Sequence, residues 1–332
     1  MKLTSFAAIA AVSLVGVPLV PQAAQAQVIK VDGSSTVFPI TEAVAEEFQI
    51  QKRGKTRVTV GISGTGGGFK KFCRGEIDIA DASRPILTAE MEACAKAGIK
   101  YMELPVAYDA LTVVVNPKNT WVDSITVAEL KKMWEPAAQG TVKTWNQVNP
   151  KWPNEPLKLF GAGSDSGTFD YFTEAVVGKA KSSRGDFTAS EDDNVLVQGV
   201  QADANALGYF GYAYYAPHAA KLKALKIVNT KGQAVGPSQS GVLDGSYEPM
   251  SRPIFIYVNA ESARKPEIKE FVEYYLVKGA PLVKEVKYVP LADQAYQLAL
   301  SHFRNGKVGT AFGGVPEVGL KVEALLAREG KL

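Results

Sequence analysis

The chain has 332 residues, of which 46% are hydrophobic and 21% charged, with 37 Lys and Arg against 34 Asp and Glu. That length allows two domains, and so slight a positive excess gives no case for nucleic acid or an anionic membrane as partner. Two Cys (Cys73, Cys94) and two His (His218, His302), at no metal-binding spacing, argue against a metal site, and no cofactor is expected.

Lys2 precedes an apolar run from Phe6 to Val20, followed by Pro21–Ala26 with small residues at Ala24 and Ala26. This predicts a secretory signal peptide over 1–26, cleaved before Gln27. A membrane anchor fits less well because the run is short and Pro18 interrupts it. With no Cys at the cleavage site, the mature protein is expected in the periplasm without a lipid anchor. In that oxidising setting Cys73 and Cys94, closing a loop of about twenty residues, are expected to form a disulfide worth roughly 3 kcal/mol.

The mature chain opens with a strand, Val28–Val31, which runs into Asp32-Gly33-Ser34-Ser35-Thr36-Val37. Pro39 then suits the first turn of a helix whose Ile40, Val44 and Phe48 share one face. The same order returns at once: strand Arg57–Ile62, turn Ser63-Gly64-Thr65-Gly66-Gly67-Gly68, then a helix from Phe69. Glycines this dense permit positive φ and close approach of the backbone. No Gly-Lys-Ser/Thr follows, and Phe69 stands where a dinucleotide fingerprint needs glycine, so neither nucleotide motif fits. A strand at Ile77–Asp81 ends in Ala82-Ser83-Arg84-Pro85 before a helix around Thr88–Ala97. Leu104–Asn116 contains the apolar run Leu111–Val115, suited to a buried strand or a crossing between domains. A helix signal at Val127–Met133 and a Trp/Pro/Asn-rich loop, Trp145–Pro156, follow.

Leu157–Phe160 is the third strand of this kind, leading into Gly161–Phe172, GAGSDSGTFDYF. Phe169, Phe172, Val176 and Val177 recur at helix spacing after it. Such a turn offers unpaired N–H groups of a first helical turn plus hydroxyl donors, which suits an oxyanion, phosphate above all. Alone it is equally a well-capped helix. Three such turns in one chain favour the anion. Further on, Glu191-Asp192-Asp193 reads as a solvated helix start before Val195–Ala204, and Leu207–Tyr215 as a packed strand and turn. Leu225–Val228 is a strand, Arg252–Asn259 a return crossing, and Pro266–Val277, Asp293–Asn305 and Pro316–Arg328 are helices. Strands alternating with helices predict an α/β fold with largely parallel sheets. No His stands near any of the three turns, and Asp165 occupies the place where a nucleophile elbow needs Ser. Many donors with nothing to do chemistry describe a binding protein, not an enzyme.

Three blocks in this order, VDGSSTVFPI, SGTGGGFKKFCRGEIDIADASRPI and GSDSGTFDYF, resemble the periplasmic phosphate-binding component of the high-affinity phosphate ABC transporter. TASEDDNVLVQGV with NALGYFGYAYY resembles the branch of that family common in phototrophic bacteria. The resemblance covers nearly all of Val28–Val315. It implies a type II solute-binding architecture: two α/β lobes joined by crossing strands, with the anion in the cleft between them. Residues 27–112 and 254–332 would form one lobe and 113–253 the other. It further implies a monomer that hands inorganic phosphate to a membrane ABC permease. By position, Ser34, Ser35 and Thr36 would bind from the first turn, Thr65 with Gly64 from the second, and Ser166, Gly167 and Thr168 from the third. Two departures stand out. The family's aspartate, which accepts the proton of hydrogen phosphate, is here Ser83, and its arginine four residues before Ser166 is here Ala162. Arg84, beside Ser83 at a strand end, is expected to supply the missing guanidinium, with Arg184 as the rival donor. The alternatives are another tetrahedral oxyanion, such as sulfate or arsenate, or a secreted phosphomonoesterase.

Overall fold

A computed structural model describes residues 27–315, 317–320 and 322–331. The expected signal peptide over 1–26 and the start of the expected last helix at Pro316 lie outside the described residues. The first half runs β1 (Gln27–Gly33), α1 (Phe38–Gln51), β2 (Thr56–Ile62), α2 (Gly64–Phe72), β3 (Ile79–Ala82), α3 (Thr88–Lys96), β4 (Tyr101–Val115), β5 (Ser124–Thr126), α4 (Val127–Trp134) and α5 (Trp145–Val148). It continues with β6 (Lys158–Ala162), α6 (Gly167–Val177), β7 (Thr188–Ser190), α7 (Asp193–Ala202), β8 (Ala206–Gly211), α8 (Tyr212–Tyr215), β9 (Lys223–Ala224), β10 (Lys226–Val228), β11 (Ala234–Val235) and α9 (Gln239–Leu243). The last part is β12 (Ser251–Asn259), α10 (Pro266–Glu285), β13 (Val289–Pro290), α11 (Asp293–Arg304) and α12 (Val322–Glu329).

The main sheet has the order β2-β1-β3-β12-β4-β8-β6-β7, with β13 and β9 also on β4. Its two flanks are parallel, as β-α-β alternation requires: β1 with β2 and β3 on one side, β6 with β7 and β8 on the other. The middle is antiparallel, because β12 returns between β3 and β4. The expectation of largely parallel strands therefore holds in the flanks and gives way at the crossing. β4 is the element that joins them. Its first part, Tyr101–Ala110, pairs with β12, and Leu111–Val115 pairs with β8. All fifteen of its residues are buried, which accounts for its run of apolar residues with little alternation.

Each flank is covered by helices that position one of the hydroxyl-rich turns. On the first side α1 lies on α10, with Phe48 edge-on to Phe271 at 5.3 Å between centroids. On the second, Phe172 of α6 stacks on Tyr209 of β8 at 3.8 Å, and Trp134 closes against both rings. These contacts hold the start of α6 at the carboxyl end of β6. Cys73 and Cys94 form a disulfide that ties the end of α2 to α3. Glu191-Asp192-Asp193 is less solvated than its charge suggests. Asp192 caps α7 by accepting from Asn194 N–H, Asp193 is buried, and Glu191 accepts from Asp165 N–H at 2.9 Å.

A candidate oxyanion site between the two halves

All three turns meet at one place. Thr36 Oγ1 of the first lies 2.9 Å from Thr168 Oγ1 of the third. Thr65 Oγ1 of the second lies 3.2 Å from Ser83 Oγ and accepts from Ser83 N–H at 3.1 Å. Gly167 sits against that pair: a Cβ on it would stand 2.5 Å from Thr65 Oγ1 and 2.6 Å from Ser83 Oγ. Ser34, Ser35, Thr36, Thr65, Ser83, Ser166 and Thr168 are all buried. Two of these hydroxyls also build their turns. Ser34 Oγ accepts from Thr36 N–H at 3.2 Å, and Ser166 Oγ, the N-cap of α6, accepts from Thr168 N–H at 3.1 Å. Each acts there as acceptor and keeps its own O–H for a further partner. Gly64 has φ of +73°, and a Cβ there would press on the Asp165 carbonyl at 2.6 Å. Its glycine serves the approach of the opposite half's backbone.

The guanidinium at this place belongs to Arg252 of β12, 1% exposed. It donates to the Gly167 carbonyl at 3.0 Å, to Thr168 Oγ1 at 2.8 Å and, more weakly, to Thr36 Oγ1 at 3.4 Å. It is held from behind by Asp109 of β4 at 3.2 Å. Burial pushes the Asp109 carboxyl above its ordinary range, against the pull of Arg252. Tyr288 and Tyr214 fix the first turn by donating to the carbonyls of Thr36 at 2.5 Å and Ser35 at 2.8 Å. Hydroxyls of the three turns and one arginine therefore meet where all of them are buried. That arrangement can hold a tetrahedral anion. Among the described residues, no group of three or more His, Cys, Asp and Glu could hold a metal ion.

Both arginines singled out in the sequence are engaged elsewhere. Arg84 donates from Nε to Asp170 at 2.6 Å, from Nη1 and Nη2 to the two oxygens of Glu90 at 2.8 Å, and from Nη1 to the Pro85 carbonyl at 3.1 Å. All three of its nitrogens are thus engaged by protein acceptors, whereas Arg252 is the guanidinium that touches the turns. Arg184 lies farther off, donating to Asp186 and to the carbonyls of Met133 and Val142, where it pins a loop. The residue that was missed, Arg252, had a signal. It is a cation in the apolar stretch RPIFIYVN, and Asp109 is an anion in the apolar stretch LPVAYDALTVVVN. Opposite charges in two buried crossing strands must compensate each other.

A two-lobed α/β molecule with buried hydroxyls and an arginine where its halves meet fits the class of periplasmic binding folds. The chain belongs to the PBP superfamily, whose domain model matches residues 20–278. It is 54% identical to Protein SphX of Synechococcus elongatus over 97% of this chain and 95% of that one. It is 38% identical to the phosphate-binding protein PstS of Staphylococcus saprophyticus over 81% of this chain and 82% of the relative. Its fold is also similar to a phosphate ABC transporter substrate-binding protein of Clostridium perfringens solved with bound phosphate. That likeness has a TM-score of 0.68 and 25% identity, covering 80% of this chain and 100% of the other.

Proposed function

We propose that this protein is an exported, monomeric receptor that captures inorganic phosphate between its lobes and delivers it to a membrane ABC permease. The lobes are residues 27–112 with 254–332, and 113–253. The observation that carries the reading is the meeting of Thr36, Gly167 and Thr168 at the buried Arg252, with Thr65 and Ser83 against Gly167 and Ser166 capping the same turn. In this reading Ser34 and Ser35 complete the first turn, Gly64 lets the second close on the third, and Arg252 takes the part assigned to Arg84 in the sequence. Several charge-assisted bonds at roughly 1.5–3 kcal/mol each supply micromolar or tighter binding, about 8 kcal/mol net, in a shielded cleft. The names of the relatives support phosphate as cargo and an ABC permease as acceptor. Among the described residues no helix is long and apolar enough to cross a membrane.

A second oxyanion remains in play for one reason. Ser83 stands where the family's proton-accepting aspartate is expected, and a hydroxyl donates to sulfate as readily as to phosphate. Calorimetry of the mature chain with phosphate, sulfate and arsenate tests both readings. One site with phosphate bound at micromolar affinity or tighter is expected. No binding of phosphate, or tighter binding of sulfate, overturns the assignment.

A further inference from the structure

Arg84 and Asp170 come from opposite sides of the cleft and meet where both are buried. Their side chains are 2% and 4% exposed, with Nε and Oδ2 2.6 Å apart. We propose that this ion pair is a closing latch, which seats the first turn of α6 on the anion and slows the anion's release. The proposal rests on the reading of the cleft as a phosphate site.

The geometry favours a latch over a static brace. Three of the four acceptors around Arg84 lie on its own side: both oxygens of Glu90, itself the residue that caps α3 through Leu87 N–H, and the Pro85 carbonyl. The guanidinium is thus aimed and neutralised before the other half arrives. Asp170 supplies the fourth, and its second oxygen faces Lys181 Nζ at 3.9 Å. When the halves part, Arg84 retains Glu90 and Asp170 retains Lys181, so neither is left as a lone buried charge, the costly outcome. Opening therefore stays possible. Asp170 lies three residues beyond Gly167 on the same helix, so a pull on it draws the turn carrying Ser166, Gly167 and Thr168 as a rigid piece. Another ion pair across the cleft, Lys70 with Asp165, measures 2.8 Å, but its side chains are 61% and 40% exposed. Water and salt screen that pair, and its weight in closure is small. The buried pair is not screened in the same way.

Phosphate titration and stopped-flow release, on wild type and Asp170→Asn, separate the latch from direct contact between Arg84 and the anion. The latch requires the variant to bind at least about tenfold more weakly, with faster release. Were Arg84 a ligand of the anion, loss of the carboxylate would free its guanidinium, and Asp170→Asn would bind as well or better. That result overturns the latch. A second readout needs no variant at Asp170. In the wild-type protein the Arg84 Nε–H resonance, assigned through bonds to its own side chain, should exchange slowly with solvent only when phosphate is saturating. Equal protection without phosphate overturns the proposal. A wild-type protein that binds no phosphate overturns the cleft reading together with the latch, whereas normal wild-type binding with an unaffected Asp170→Asn overturns the latch alone.

Discussion

Arg252 is a full charge on a strand whose nine residues are all buried, and Asp109 is its only carboxylate partner among the described contacts. Its planar fork reaches Gly167, Thr168 and Thr36 at once, which an ammonium cannot do. Arg252→Lys should therefore lose about 2–4 kcal/mol of phosphate affinity by calorimetry, while Arg184→Lys changes it little. Gly167 offers a steric counterpart. Since a Cβ there meets Thr65 Oγ1 and Ser83 Oγ at 2.5 and 2.6 Å, Gly167→Ala should hold the two halves apart. Affinity should fall at least about tenfold by calorimetry, because the halves could no longer meet at this seam. Equal affinity would remove Gly167 from the seam. Buried acids govern the response to pH. Asp81, bonded to Thr41 and otherwise desolvated, keeps its proton up to about 8, against 3.8 when exposed. Between those values the native state binds more protons than the unfolded chain, so stability falls as pH rises. Burial brings Glu103 and Asp193 to about 7, and both act in the same sense. The ligand-free melting temperature should drop by about 5 °C or more from pH 5 to 8.5, and Asp81→Asn should lessen the drop. A midpoint that rises across the interval contradicts the assignment.

Elements were legible where their chemistry is local. The strand, hydroxyl turn and helix recur three times because a cap, a glycine and an apolar face are all written within some fifteen residues. Those three units appear in place as β1 and α1, β2 and α2, and β6 and α6. The disulfide was legible for a similar reason, since export and a short loop suffice to argue for it. Cys73 and Cys94 are both buried between α2 and α3. Replacing both by Ala should lower stability by roughly 3 kcal/mol in urea unfolding, and an unchanged midpoint would show that the loop is ordered without it. What stayed hidden depends on sequence-distant pairing. Arg84 was taken for the cation because it stands at a strand end beside a site residue, yet neighbouring Glu90 and distant Asp170 claim it. Arg252 reaches Thr168 across 84 positions of chain. No periodicity signals such a contact. The same holds for Asp193, which looked solvated in an acidic run and is buried through the packing of α7 on β8.

At the scale of the molecule, the sheet is continuous from one lobe to the other, and β4 and β12 are the strands where it changes hands. Arg252 is carried on one of these strands and its counter-ion Asp109 on the other. In the proposed reading, anion binding would act directly on the segment about which the lobes turn. Strand order has another consequence, for the order of assembly. β12 lies between β3 and β4, so the unit made of β1, β2 and β3 has no neighbour in the sheet until residues 251–259 are available. A chain growing or crossing a membrane from its N-terminus must keep the face of β3 unpaired through nearly the whole of the second lobe. That lobe, residues 113–253 in the proposed division, contains the parallel partners of β5, β6, β7 and β8 and can condense earlier. Local contacts form before long-range pairings repay their loop entropy. A chain ending at Leu243 should accordingly show protease-resistant fragments from 113–243 and rapid cleavage within 27–100. Resistance spread evenly over both regions would mean that the first unit folds without its missing strand.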